Sequence, residues 1–167
     1  MSSSRKKAIL RKHSRDWVAG YLPLAGFARA GHVEMLDLDG KVISLDAEDL
    51  KWICYVRDFN SGELNNPERL VRRTFAGRPR GDGIFIRTRL KDGDTIEGLA
   101  PNDVSLVSSD GVFLTPPDLR SNTQRIWIPR SSIDEMEVVA VIGAAKRKVT
   151  PPPKPKDERQ EELFDGP

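Results

Sequence analysis

Between residues 57 and 89 the chain carries Arg57, Arg69, Arg72, Arg73, Arg78, Arg80, Arg87 and Arg89 against Asp58, Glu63, Glu68 and Asp82. A guanidinium grips phosphate oxygens through paired N–H donors and stacks on bases. With Phe59 and Phe75 available for stacking, the stretch reads as a candidate phosphate or nucleic-acid surface, centred on Arg69, Arg72, Arg73, Arg78 and Arg80. The competing reading is a solvated connector whose arginines pair with nearby acids. The net charge of +2 favours that second reading, and salt-dependent binding separates the two. A different chemistry sits at the far end, in Gln160-Glu161-Glu162-Leu163-Phe164. Two adjacent apolar residues in a charged tail are what a short peptide uses to anchor in a partner's pocket, with Gln160, Leu163 and Phe164 as the contacts. The bland alternative is a chance dipeptide.

Catalysis finds little support. General acid–base or nucleophilic chemistry needs a base with a positioned partner. His13 lies in Lys12-His13-Ser14-Arg15 and His32 in Gly31-His32-Val33, both polar or turn-like settings expected at the surface. Cys54 lies in Trp52-Ile53-Cys54-Tyr55-Val56, where alternation places it with Trp52 and Val56 on one face, as a buried structural thiol. No phosphate-cradling glycine loop, metal-binding histidine pair or nucleophile elbow is present in the sequence. The expectation is a non-enzyme, without cofactor or metal.

The elements that must hold these residues are strands. Turn signals at Asp39-Gly40, Ser61-Gly62, Gly81-Asp82-Gly83, Asp92-Gly93 and Asp110-Gly111 punctuate short apolar runs. Val33 to Leu38 and Lys41 to Leu45 are expected to form a hairpin about a two-residue Asp39-Gly40 loop. Ile84 to Leu90 and Thr95 to Leu99 form another about Lys91-Asp92-Gly93-Asp94, and a third is expected about Asp110-Gly111. The halves echo each other: Asp16-Trp17-Val18-Ala19-Gly20 against Asp94-Thr95-Ile96-Glu97-Gly98, and Leu50 to Val56 against Ile133 to Val141. A glycine inside a strand marks the bend with which a small five-stranded barrel turns its corner. The expected fold is therefore mostly β: two tandem small barrels as an internal repeat, residues 6–59 and 83–143, joined by an arginine-rich connector over 60–82. The alternative is one irregular sandwich. Residues 144–167, with Lys146-Arg147-Lys148, then Pro151-Pro152-Pro153 and acids, are expected to be a disordered tail.

Composition bounds the partners. In 167 residues, 38% are hydrophobic and 31% charged, so any core is thin and the chain as a whole is no polycation. No apolar run reaches the roughly 18 residues of a membrane span, and the start is no secretory leader. One cysteine forms no internal disulfide, and the cytoplasm is the expected compartment.

Three resemblances sharpen these expectations. Val56-Arg57-Asp58-Phe59, Lys91 to Asp94 with Gly98, Gly111 to Asp118, and Ser121 to Ile126 resemble an uncharacterised bacterial family of Sm-like or SH3-like small-barrel domains, often encoded beside or fused to PilZ domains. The likeness runs from about Ala8 to Val141 and departs at Thr123 and Trp127, where that family tends to have Asn and Phe. It implies a fold and no catalytic residue. Arg69-x-x-x-Arg73 followed by Asp103-x-Ser105 resembles the PilZ motifs for cyclic dinucleotides, with Ser108 where the second motif has glycine. The tail peptide resembles the bacterial sliding-clamp-binding motif, which implies the DNA sliding clamp as a protein partner; Glu161 stands where that motif is usually apolar. The combined expectation is a binding or adaptor protein, with a nucleic-acid-binding barrel pair and a degenerate cyclic dinucleotide receptor as rivals.

Overall fold

The computed structural model describes residues 4–59, 73–118 and 120–143. In the first half they form β1 (Lys6–Lys12), β2 (Trp17–Leu22), β3 (Ala28–Arg29), β4 (His32–Asp37), β5 (Val42–Asp46) and β6 (Leu50–Val56). The second half contributes β7 (Gly83–Leu90), β8 (Thr95–Ala100), a one-turn helix α1 (Ser105–Ser108), β9 (Gly111–Leu114), β10 (Thr123–Pro129) and β11 (Ile133–Ile142). The protein is mostly β. Among the described residues no helix is long and apolar enough to cross a membrane.

The two halves pair their strands in the same register. Arg11↔Trp17, Leu10↔Val18, Ile9↔Ala19 and Ala8↔Gly20 between β1 and β2 recur as Arg89↔Thr95, Thr88↔Ile96, Arg87↔Glu97 and Ile86↔Gly98 between β7 and β8. The β1/β6 ladder starts at Lys12↔Leu50 and skips to Arg11↔Trp52; the β7/β11 ladder starts at Leu90↔Ile133 and skips to Arg89↔Glu135. Met35↔Ile43 of β4/β5 recurs as Leu114↔Ile126 of β9/β10. A 3-10 turn precedes the last strand of each half, at Ala47–Asp49 and Arg130–Ser132. Gly20 and Gly98 are glycines for one reason: a Cβ at Gly20 would meet the Leu36 carbonyl oxygen at 2.4 Å, and one at Gly98 the Leu114 Cβ at 2.8 Å and the Thr115 carbonyl oxygen at 3.1 Å.

No closed barrel forms among the described residues. The strands make an eight-stranded sheet, β3-β4-β2-β1-β6-β10-β9 with β5 on β4, and a three-stranded sheet, β11-β7-β8. Leu99 and Thr115 bridge β8 to the start of the β9–β10 connection through two backbone hydrogen bonds of 3.0 and 2.9 Å. The second half stays open because the outer edge of β10 is spent on β6, through Arg125↔Tyr55, Ile126↔Cys54 and Trp127↔Ile53. That pairing welds the halves together. Trp52, Cys54 and Val56 of β6 join Ile86, Leu90, Ile96, Val112 and Ile126 in one core, while Ile53 and Tyr55 on the other face join Leu10, Leu22, Phe27, Met35 and Trp127 in a second.

Local details depart from the sequence reading at two turns. The Asp39-Gly40 loop is wider than two residues: the Asp37 N–H donates to the Lys41 carbonyl at 2.8 Å, and the Asp37 carboxylate accepts from the N–H groups of Asp39 and Lys41. Asp110-Gly111 is no hairpin turn, since α1 and not a strand precedes β9. The Arg130 guanidinium fastens that helix by donating to the carbonyls of Ser109 and Leu106.

Candidate functional site

Arg87 and Arg89 alternate with the buried Thr88 and Leu90 along β7, so both guanidinium groups lie on the outer face of the three-stranded sheet. Each meets acids directly opposite on neighbouring strands. Arg87 donates from Nε and Nη2 to Glu97 Oε1 at 3.1 and 3.0 Å and from Nη1 to Glu137 Oε2 at 3.0 Å. Arg89 donates to Asp134 at 3.0 Å and lies 2.9 Å from Glu135. Hydrogen bonding to Glu97 holds the Arg87 guanidinium above its already high ordinary pKa. Two arginines of the expected anion-binding stretch thus serve the sheet.

The residues before β7 are also engaged. The Arg73 carbonyl accepts from the Glu97 N–H at 2.8 Å, and its guanidinium lies 3.4 Å from Asp94. Phe75 donates its N–H to Glu97 Oε2 at 2.8 Å and packs edge-on against Phe85 at 4.9 Å. Phe59 packs edge-on against Tyr21 at 5.6 Å, with Lys7 5.7 Å over its ring. Neither ring stands out as a free stacking platform. Arg78 and Arg80 are exposed and make no ion pair among the described residues. The chain runs from Arg80 into Gly81 and Asp82, which with Pro101, Thr115, Phe113 and Arg125 line an open cleft of about 270 Å³. Arg125 caps the Phe113 ring at 4.4 Å. Beside it, burial pushes the Tyr55 phenol above its ordinary pKa, opposed by the Arg125 charge, and its hydroxyl donates to the Pro23 carbonyl at 2.8 Å.

Lys51, the residue bulged from β6, ties the halves together at the β7–β8 turn. Its ammonium lies 2.5 Å from Asp92, contacts Asp94, and sits 4.7 Å over the Trp52 ring. Burial raises the Asp92 carboxyl, but hydrogen bonds from Lys51 and the Asp94 N–H outweigh it, leaving the pKa below the ordinary value. Asp103 and Ser105, half of the cyclic dinucleotide resemblance, make a turn: Asp103 accepts from the Ser105 N–H at 2.8 Å, and the Ser105 hydroxyl and N–H hold its pKa down. His13 and His32 are exposed, and Cys54 is fully buried, as expected.

Of the residues singled out from sequence, Arg73, Arg78 and Arg80 are thus placed, whereas Arg69, Arg72, Gln160, Leu163 and Phe164 lie outside the described residues. Arg125, Lys51 and Glu97 were missed. For Glu97 a signal existed: counting outward from Asp92-Gly93 puts it opposite Arg87. No curated protein and no solved structure matches the chain. Its residues 4–140 match the family of unknown function DUF6982, and the chain belongs to that family.

Proposed function

We propose that the protein is a non-enzymatic binding or adaptor protein: two open Sm-like or SH3-like small-barrel units in tandem, with the C-terminal peptide Gln160, Leu163 and Phe164 as its contact for a protein partner, the DNA sliding clamp being the partner that the peptide's sequence favours. The observation that carries this over the nucleic-acid reading is the use of the charged stretch inside the fold. Arg87, Arg89 and Arg73 are paired with acids and Phe59 and Phe75 are packed, so five of the expected phosphate-gripping and stacking groups among the described residues already have partners. A peptide needing two or three ordered side chains then supplies the contact at low entropic cost. The matched registers of the halves support the tandem-unit reading.

The second reading keeps a foothold in the exposed Arg78 and Arg80 and in the cleft walled by Arg125 over Phe113. One experiment weighs both: recovery of partners from native extract by the full-length chain and by a chain truncated after Gly143, with and without nuclease. The adaptor reading expects a protein partner that is lost with the tail and with Leu163→Ala/Phe164→Ala, and that survives nuclease. Equal recovery of nuclease-sensitive material by both chains, weakened by Arg78→Ala/Arg80→Ala and by salt, would establish the nucleic-acid reading instead.

A further inference from the structure

The internal joint is made by the last strand of the first half, β6, and the fourth strand of the second half, β10. By the shared registers, β6 corresponds to β11 and β10 to β5. Each half therefore owns both members of the joint, and only one of the two possible joints is made within the chain. The outer edge of β5 and the outer edge of β11 are the remaining pair: among the described residues β5 pairs only with β4, and β11 only with β7.

Burial follows the same division. On the joined strands Tyr55, Val56 and Trp127 are 3%, 5% and 3% exposed. The counterparts of Tyr55 and Trp127 by register are Val138, 54% exposed, and Ser44, also exposed, and Val139, which follows Val138 as Val56 follows Tyr55, is 40% exposed. Val42, the counterpart of Arg125, is 67% exposed. Carried onto the free edges, the register of the joint sets Val42 opposite Val138, Ile43 opposite Glu137 and Ser44 opposite Met136. The two exposed valines thus fall against each other. The carboxylates of β11 are already countered on its own sheet, Glu137 by Arg87 and Asp134 and Glu135 by Arg89, so an approaching strand does not meet bare charge. An edge that no described residue covers, with exposed valines along it, is a template for strand addition.

We propose that the chain associates with further copies of itself head to tail, the β11 edge of one copy adding to the β5 edge of the next in the register that β6 and β10 use internally. The contact is heterologous, joining two different surfaces, so it propagates until it closes into a ring or continues as a filament.

The test is the solution mass of the full-length chain by light scattering across a wide concentration range, with Val42→Lys and Val138→Lys. Both positions are exposed, so both variants should keep the wild-type circular dichroism and melting temperature. The wild type should form species above dimer mass, and each variant alone should weaken association by about tenfold or more, because the lysine is buried against a valine. Mixing the two variants should give a 1:1 dimer that grows no further, since only one intact pair of edges remains. Val107→Lys, exposed on α1 away from both edges, should associate as the wild type. A monomeric full-length chain overturns the inference, whether or not truncation after Gly143 releases association. So does association that neither edge variant weakens, or a mixture that assembles beyond dimer.

Discussion

Glu97 is the side chain on which the second half depends most. It is buried, and an ionised carboxylate out of water is costly unless hydrogen-bonded. Its oxygens take donors from the Phe75 N–H and from two nitrogens of Arg87, while its own N–H reaches the Arg73 carbonyl. One residue thereby fixes the incoming segment at Arg73 to Phe75, the position of Phe75 against Phe85, and the central arginine of β7. The same register position in the first half is Ala19, beside the apolar core, where no such anchor is needed. Glu97→Gln keeps the shape but loses the charge on its acceptor, and its amide NH2 must face either the Phe75 N–H or the Arg87 guanidinium, both of which only donate. The expected cost is about 1–3 kcal/mol, seen as a lower urea midpoint with an unchanged slope. A midpoint within error of wild type would mean that Glu97 is incidental to the segment before β7.

At the scale of elements, two glycines of the β7–β8 hairpin separate two physical demands. Gly93 has φ +93° with nothing within 4 Å of a built Cβ, so only backbone conformation excludes a side chain. Gly98 has an ordinary φ, but a Cβ there would press on Leu114 and the Thr115 carbonyl. Gly93→Ala should therefore cost about 1–2 kcal/mol of left-handed strain, and Gly98→Ala about 1–3 kcal/mol of overpacking. Only Gly98→Ala should couple favourably to Leu114→Gly, which removes the Cβ it presses on, a coupling that a double-mutant cycle of thermal melts reads directly. Two of the three expected hairpins were legible because turn glycines and apolar alternation are local: Asp92-Gly93, and the paired motifs ending in Gly20 and Gly98, lie where the sequence places them, whereas Asp110-Gly111 follows a helix. The β6–β10 joint was not legible. Arg125 finds Tyr55 across the whole connector, and no local pattern encodes so distant a register. A hint did exist in the unbroken apolar run from Trp52 to Val56, which marks a strand buried on both faces. The short β3–β4 hairpin escaped notice because its turn, Ala30-Gly31, joins a strand of only two residues. At the candidate site, the arginines were visible as a composition, but their partners Glu97, Asp134, Glu135 and Glu137 come from other strands, and pairing decides whether an arginine is free to bind.

For the molecule as a whole, the β6–β10 ladder and the cores built across it lead to the expectation that the halves fold as one unit despite their matched registers. Residues 1–59 alone would leave Ile9, Trp52, Cys54 and Val56 without the second-half side chains that cover them, and the first core without Trp127. Exposing a large apolar side chain costs about 1.5–3 kcal/mol. Several at once consume most of the roughly 5–15 kcal/mol that holds a domain folded. The isolated half is therefore expected to stay unfolded or to aggregate, and the intact body to unfold in one step with equal calorimetric and van't Hoff enthalpies. Cys54 offers an internal reporter, because it lies fully buried on the joining strand and is the sole cysteine. If the halves unfold together, its thiol should react with a disulfide reagent with the same free energy of opening as global unfolding. Destabilising the second half alone, with Glu97→Gln, should then accelerate labelling of this first-half thiol by the full loss in global stability. Labelling that ignores Glu97→Gln, or two resolved calorimetric transitions, would show instead that the β6–β10 joint opens on its own and that each half carries its own stability.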